Sequence, residues 1–168
     1  VKDDSIILAS GTTIHALACN IHSESRLTIV SASLQATMTL AANDNIDIIQ
    51  LGGMVRHSSV SVVGQYSMEI LRGCSFTKLF LGVDGIDLDF GISTTDIREA
   101  ELNRSMMQAA QKTVVLADSS KFGRRGFAKI SGLEDIDIII TDSKIPQFVA
   151  NKIEEMGIEL IIAGSHSM

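Results

Sequence analysis

Ser5-Ile6-Ile7-Leu8-Ala9-Ser10-Gly11-Thr12-Thr13-Ile14-His15-Ala16-Leu17-Ala18 changes its backbone period halfway along. Ser5 to Ala9 is a short apolar run of buried-strand length. Ile14, Leu17, Ala18 and Ile21 then recur at helical spacing. A strand apolar on both faces that feeds a helix through a glycine is the opening of a βαβ unit, in which parallel strands are covered on both sides.

The alternation continues outward from this stretch. Leu27 to Val30 reads as a second strand, and Leu34, Met38, Ala41 and Ala42 as the stripe of a second helix. Ile46 to Leu51 is a strand ended by Gly52-Gly53. After a less regular stretch, Gln65 to Arg72 reads as a helix and Phe76 to Val83 as a strand running into Asp84-Gly85. Asp96 to Gln111 is the longest helix, with Leu102, Met106, Ala109 and Ala110 on one side. Thr113 to Ala117, Ile136 to Thr141 and Glu159 to Ala163 are strands, and Pro146 fits the first turn of a helix between the last two. The fold class expected is α/β, a mainly parallel sheet flanked by helices. The expected organisation is one domain over residues 1–163 and a polar tail over 164–168.

Bulk properties narrow the function. The chain has 168 residues, 45% hydrophobic and 20% charged, which is a globular composition and not a disordered one. The longest apolar runs have strand length, well short of the roughly 20 residues a membrane-spanning helix needs. No secretory leader is read at the start. Two cysteines, Cys19 and Cys74, in no CxxC pair fit a reducing, cytoplasmic setting. The net charge is −6. A nucleic-acid-binding face needs clustered Lys and Arg. Lys121-Phe122-Gly123-Arg124-Arg125 is too short a cluster, so no direct DNA binding by this segment is expected.

In open α/β sheets, ligands bind outside the carboxyl ends of the strands. Four polar, glycine-containing segments fall there. Ser10-Gly11-Thr12-Thr13 could grip an anion through free N–H groups and the partial positive charge of a helix start. Plain capping by Ser or Thr accounts for the same residues, and the motif alone leaves both open. Gly52-Gly53-Met54-Val55-Arg56 could bring a guanidinium to a phosphate, or be a tight turn with a solvated Arg. Asp84-Gly85 could accept sugar hydroxyls or move a proton, or be an Asx-type turn. Asp118-Ser119-Ser120-Lys121-Phe122-Gly123 could offer Lys121 to an anion, or be a loop with a surface Lys. Thr94-Thr95-Asp96 reads as a helix cap, and Glu99 and Glu101 as solvated helix residues. His15, Cys19 and His22 share one helix face, but the ligand set is incomplete, and neither a metal nor a cofactor is expected. The seven methionines read mostly as helix-stripe core.

Taken in order, Ser10-Gly11-Thr12-Thr13, Leu51-Gly52-Gly53-Met54-Val55-Arg56, Gly64, Phe80-Leu81-Gly82-Val83-Asp84-Gly85-Ile86-Asp87, Gly91, Ser93-Thr94-Thr95, Glu99-Ala100, Leu116-Ala117-Asp118-Ser119-Ser120-Lys121-Phe122-Gly123 and Ile140-Thr141-Asp142 resemble the C-terminal domain of the DeoR family of bacterial repressors. The resemblance covers nearly the whole chain. It implies a fold similar to ribose-5-phosphate isomerase and the CoA transferases. It also implies a phosphorylated sugar as effector, homo-dimers or homo-tetramers, and operator DNA bound only through a separate N-terminal winged helix-turn-helix. On this reading the effector site comprises Ser10, Gly11, Thr12, Thr13, Ser31, Gly52, Gly53, Arg56, Asp84, Gly85, Thr94, Glu99 and Lys121, and the protein is not an enzyme. The alternative on the same fold is an aldose–ketose isomerase using Asp84 and Lys121. Two departures stand out. The family usually has Asp where this chain has Ala9, and often Thr-Asn where it has Ser31-Ala32. Both are expected to strip polar groups from the pocket rim and to alter or weaken the effector response.

Overall fold

The computed structural model describes residues 4–164. Seven strands form one parallel sheet: β1 (Asp4–Leu8), β2 (Leu27–Ser31), β3 (Ile46–Gln50), β6 (Lys78–Gly82), β9 (Thr113–Leu116), β11 (Ile138–Asp142) and β12 (Glu159–Ala163), in the order β12-β11-β9-β6-β1-β2-β3. These are the seven runs singled out in the sequence, with ends shifted by up to two residues. Phe76 lies outside β6 and makes only an isolated bridge to Ala110. Four short strands complete the set: the hairpin β4 (Met54–Arg56) and β5 (Ser61–Val63), and a small antiparallel sheet of β7 (Gly85–Asp87), β8 (Gly91–Thr94) and β10 (Ala128–Ser131). Of the polar tail expected over 164–168, only Gly164 lies within the described residues.

The helices α1 (Thr12–Cys19), α2 (Leu34–Leu40), α3 (Gln65–Arg72), α4 (Ile97–Ala109) and α5 (Gln147–Glu155) divide between the two faces. Strand side chains alternate, so Ile7, Val30, Leu79, Leu81, Val115 and Ile139 enter one core with Leu71, Leu102, Met106 and Ile153 of α3, α4 and α5. Ile6, Leu8, Ile29 and Ile46 enter the other with Ile14, Ala18, Ala36 and Leu40 of α1 and α2. The helix α2 therefore buries a different stripe from the one the sequence pattern picked out. Ala36 and Leu40 point inward, whereas Met38 is 78% exposed. The methionines among the described residues divide evenly, with Met68 and Met107 packing partly buried against the core. Met106 is buried, but Met54 and Met156 join Met38 at the surface.

Strand order steps from β1 through β2 to β3 in one direction and from β6 through β9 and β11 to β12 in the other. The strands β1 and β6 therefore flank the reversal, which is where open α/β sheets place their ligands. The small sheet and the hairpin sit against this end. Gly91, at φ +97, is forced into the β7–β8 turn: a Cβ there would lie 2.1 Å from the Ser131 carbonyl oxygen.

Candidate functional site

The pocket opens at the ends of β1 and β6. Its cavity is about 420 Å³, within the range of small-molecule sites. One wall is the start of α1. Gly11 precedes the helix at φ 115, and no side chain caps that helix start. Capping therefore does not explain Ser10, Thr12 and Thr13. Thr12 and Thr13 are exposed to the cavity, and the space a side chain on Gly11 would fill is empty. The helix start offers its N–H groups and its dipole to an anion.

Lys121 lines the same cavity from a single turn of 3-10 helix, Ser119–Lys121. Asp118 sets that turn by accepting from the Ser120 backbone N–H at 2.8 Å, and Asp142 accepts from that of Ser119 at 2.8 Å. Hydrogen bonds from the Ser120 hydroxyl and the Ser119 N–H, respectively, hold the two carboxyls below their ordinary range. No ion pair holds the Lys121 ammonium among the described residues.

A charged cluster also lines the cavity. Arg56, on the hairpin, bonds Glu99 and approaches Asp96 at 3.5 Å. Asp96 caps α4 by accepting from the N–H groups of Arg98 and Glu99. The Arg98 guanidinium, helped by these N–H groups and Arg56, keeps its carboxyl strongly acidic. Glu99 lies one turn on, and burial raises its pKa against the pull of Arg56, with Asp84 adding to the rise. Ser10 donates to Glu99 at 3.4 Å. Asp84 Oδ2 accepts from the Thr94 hydroxyl at 2.9 Å and the Thr95 N–H at 3.2 Å, which fixes its orientation at the pocket edge. The cavity thus combines the α1 N–H groups and Lys121 with the carboxyls of Asp84 and Glu99, and the Ser10 hydroxyl joins the α1 loop to Glu99.

The structure brings Ser10, Gly11, Thr12, Thr13, Arg56, Asp84, Glu99 and Lys121 to this cavity. The remaining sequence candidates do not line it. The Ser31 hydroxyl is fully buried, donating to the Leu8 carbonyl and accepting from Ser33 N–H, both at 3.0 Å. The Gly52 carbonyl accepts from Ser67, and Gly53 packs on Val63 at the hairpin root. Gly85 packs on Arg124, and Thr94 acts through Asp84. Ala9 and Ala32 are buried in the apolar core, so neither thins an exposed rim. Gln35, Ser58, Ser59 and Val60 also line the cavity and were not picked out in the sequence. Ser58, Ser59 and Val60 belong to the turn between β4 and β5, for which the alternation Val60-Ser61-Val62 is a weak strand signal, and Gln35 lies in α2. Val60 adopts φ 46, rare for a β-branched residue, and Leu34 N–H holds it there by donating to its carbonyl at 3.0 Å.

The face carrying His15 and Cys19 meets α2: His15 Nε2 lies 3.3 Å from Thr39 Oγ1 and 3.8 Å from Cys19 Sγ. Among the described residues no group of three or more His, Cys, Asp or Glu could hold a metal ion.

A family model described as "DeoR C terminal sensor domain" matches residues 1–143. The chain is 35% identical to a protein assigned as the aga operon transcriptional repressor of Escherichia coli O157:H7, over 95% of this chain and 59% of that protein. It is 32% identical to the HTH-type transcriptional regulator GolR of Listeria innocua, over 96% of this chain and 64% of the regulator. With the glycerol-3-phosphate regulon repressor of Haemophilus influenzae it shares 26% over 94% of this chain and 61% of the repressor. The chain therefore spans less than two thirds of these relatives. Among solved structures it resembles ribose 5-phosphate isomerase A of Methanocaldococcus jannaschii (TM-score 0.50, 18% identity, 73% of this chain and 48% of that one). It also resembles eIF2B beta of Chaetomium thermophilum (TM-score 0.53, 13% identity, 82% and 43%). At these identities the likeness is one of fold.

Proposed function

Because the chain belongs to the DeoR C-terminal sensor domain family, we propose that it is the effector-binding and oligomerisation domain of a longer, sugar-responsive repressor of carbohydrate metabolism, and that a phosphorylated sugar is its ligand. The family is a transcriptional regulator's sensor and not an enzyme. The isomerase-like fold is thus used for recognition, with no proton shuttle at Asp84.

One observation carries the reading: a helix start opened by Gly11 that no side chain caps, and Lys121, in no ion pair among the described residues, line one cavity with Asp84 and Glu99. A phosphate fits the α1 start through its N–H groups and two threonine hydroxyls, with the Lys121 ammonium in the same cavity. Sugar hydroxyls fit Asp84 and Glu99, whose carboxyl oxygens accept them. Ligand binding that favours one arrangement of the regulator shifts its population, and the coupling to operator affinity is reciprocal. Operator DNA is bound by a separate part of the regulator, since the pocket-bearing chain is acidic.

Thermal unfolding of the chain against a panel of phosphorylated and unphosphorylated sugars tests this. At least one phosphorylated sugar raises Tm, as any ligand selective for the native state must, and its unphosphorylated counterpart does not. Lys121→Met removes the shift. A panel in which phosphate makes no difference refutes the assignment.

A further inference from the structure

A second cavity opens where β9 and β11 begin, at the end of those strands away from the effector pocket. It lies between the last turns of α4 and the end of β10 and shares no lining residue with the first cavity. Its volume is about 430 Å³, within the range of small-molecule sites. Arg104, Met107 and Gln108 stand at i, i+3 and i+4, so one face of α4 brings all three to it. Ile130 comes from β10. After β10, the turn Leu133–Asp135 is pinned by the buried side chains of Leu133 and Ile136, and Asp135 and Asp137 reach the cavity from there.

The charges of this cavity are held in place but not paired. Arg104 Nη1 donates to the Lys129 carbonyl at 2.6 Å. Asp137 Oδ2 accepts from the Thr113 N–H at 2.7 Å, and the Asp137 N–H donates to the Thr113 carbonyl at 3.2 Å. Arg104 and Asp137 are thus anchored to the backbone. Among the described residues, none of Arg104, Asp135 and Asp137 is in an ion pair, although all three line one cavity. Unpaired charges of both signs match a ligand that carries both signs.

We propose that this cavity binds a small zwitterion, an α-amino acid with an apolar side chain. The planar fork of Arg104 suits the ligand carboxylate. Asp135 and Asp137 accept from its ammonium, and Met107 and Ile130 offer apolar surface to its side chain. The balance of charge excludes other small-molecule classes. Two carboxylates beside one guanidinium repel a phosphate, so the sugar phosphates of the first cavity do not suit the second. A neutral apolar ligand would cover three charges without pairing them, at a desolvation cost. The site does not depend on the effector reading, because the two cavities have no residue in common.

The test is a titration followed by amide chemical shifts, with the common L-amino acids as probes. The expected result is a saturable shift of the Thr113, Ile130 and Asp137 amides by at least one apolar amino acid. The amine lacking its carboxylate and the acid lacking its ammonium each bind at least about tenfold more weakly, since a hydrogen bond to a charged group is lost in each case. Arg104→Gln weakens the amino acid by a similar factor. So does Asp135→Asn, which replaces an exposed residue by one of the same shape and leaves the fold intact. Three results overturn the proposal: no amino acid shifts these amides saturably, either half-molecule binds as well as the whole, or Asp135→Asn binds with native affinity. Sugar-phosphate titration reads the amides around Gly11 and Lys121 separately, so failure of one reading is distinguishable from failure of the other.

Discussion

Gly11 matters for the space it leaves. A side chain there would meet nothing, but φ 115 excludes most residues from that backbone conformation, and the vacated space is where an anion approaches the α1 N–H groups. Thr12 and Thr13 project into the same space. The double substitution Thr12→Ala, Thr13→Ala is expected to weaken sugar-phosphate affinity by about 10- to 100-fold, since a hydrogen bond to a charged group contributes about 1.5–3 kcal/mol. Calorimetric titration measures it. Arg56→Met leaves Glu99 buried beside Asp84 without its cation. A loss of about 2–3 kcal/mol is expected in denaturant unfolding, somewhat below a fully buried pair, and adding Glu99→Gln recovers part of it. The reach of Arg56 and Lys121 into one cavity could be inferred from sequence because each stands in a polar, glycine-containing segment that follows a strand. The interior position of Ser31 could not. A serine at a strand end has the same pattern whether its hydroxyl faces a ligand or, as here, bonds the Leu8 carbonyl.

At the level of elements, the seven long strands and five helices declared themselves through period, because each buries a continuous apolar face. Met38 shows the limit of that signal: a short helix with apolar residues on two sides does not say which side is covered. The small sheet is not legible in the sequence because its strands are three or four residues long and mix apolar with small or polar residues, too short for a period to register. Its joints are testable. Gly91→Ala puts a Cβ against the Ser131 carbonyl at a positive φ, and is expected to cost more than about 2 kcal/mol and to loosen β8 from β10. Hydrogen exchange would show lost protection at Ile92 to Thr94 first. Unchanged protection there would mean that the turn relaxes without disturbing the pairing.

Across the whole molecule, ionisation ties stability to pH. Hydrogen bonds from Thr77, Arg125, Arg98, Ser120 and the Ser119 N–H lower the carboxyl pKa of Asp4, Asp87, Asp96, Asp118 and Asp142, respectively. Depressed carboxyls stabilise the fold above their ordinary value of 3.8 and lose that contribution as pH falls through and below it. Glu99 acts in the opposite sense: burial raises its pKa, so ionising it opposes folding as pH rises past 4.5. The five outnumber the one, and the melting temperature is therefore expected to drop as pH falls from 5 towards 3. A flat profile would show that these carboxyls are not held as described.

The central claim is that a phosphate sits at the start of α1. Titration calorimetry with a sugar phosphate that stabilises the chain, run on the native protein and on Thr12→Ala, Thr13→Ala, tests it most directly. The account predicts saturable binding to the native chain, none of comparable strength by the unphosphorylated sugar, and an affinity lower by at least about tenfold in the variant. Equal affinity in the native and substituted chains would contradict it.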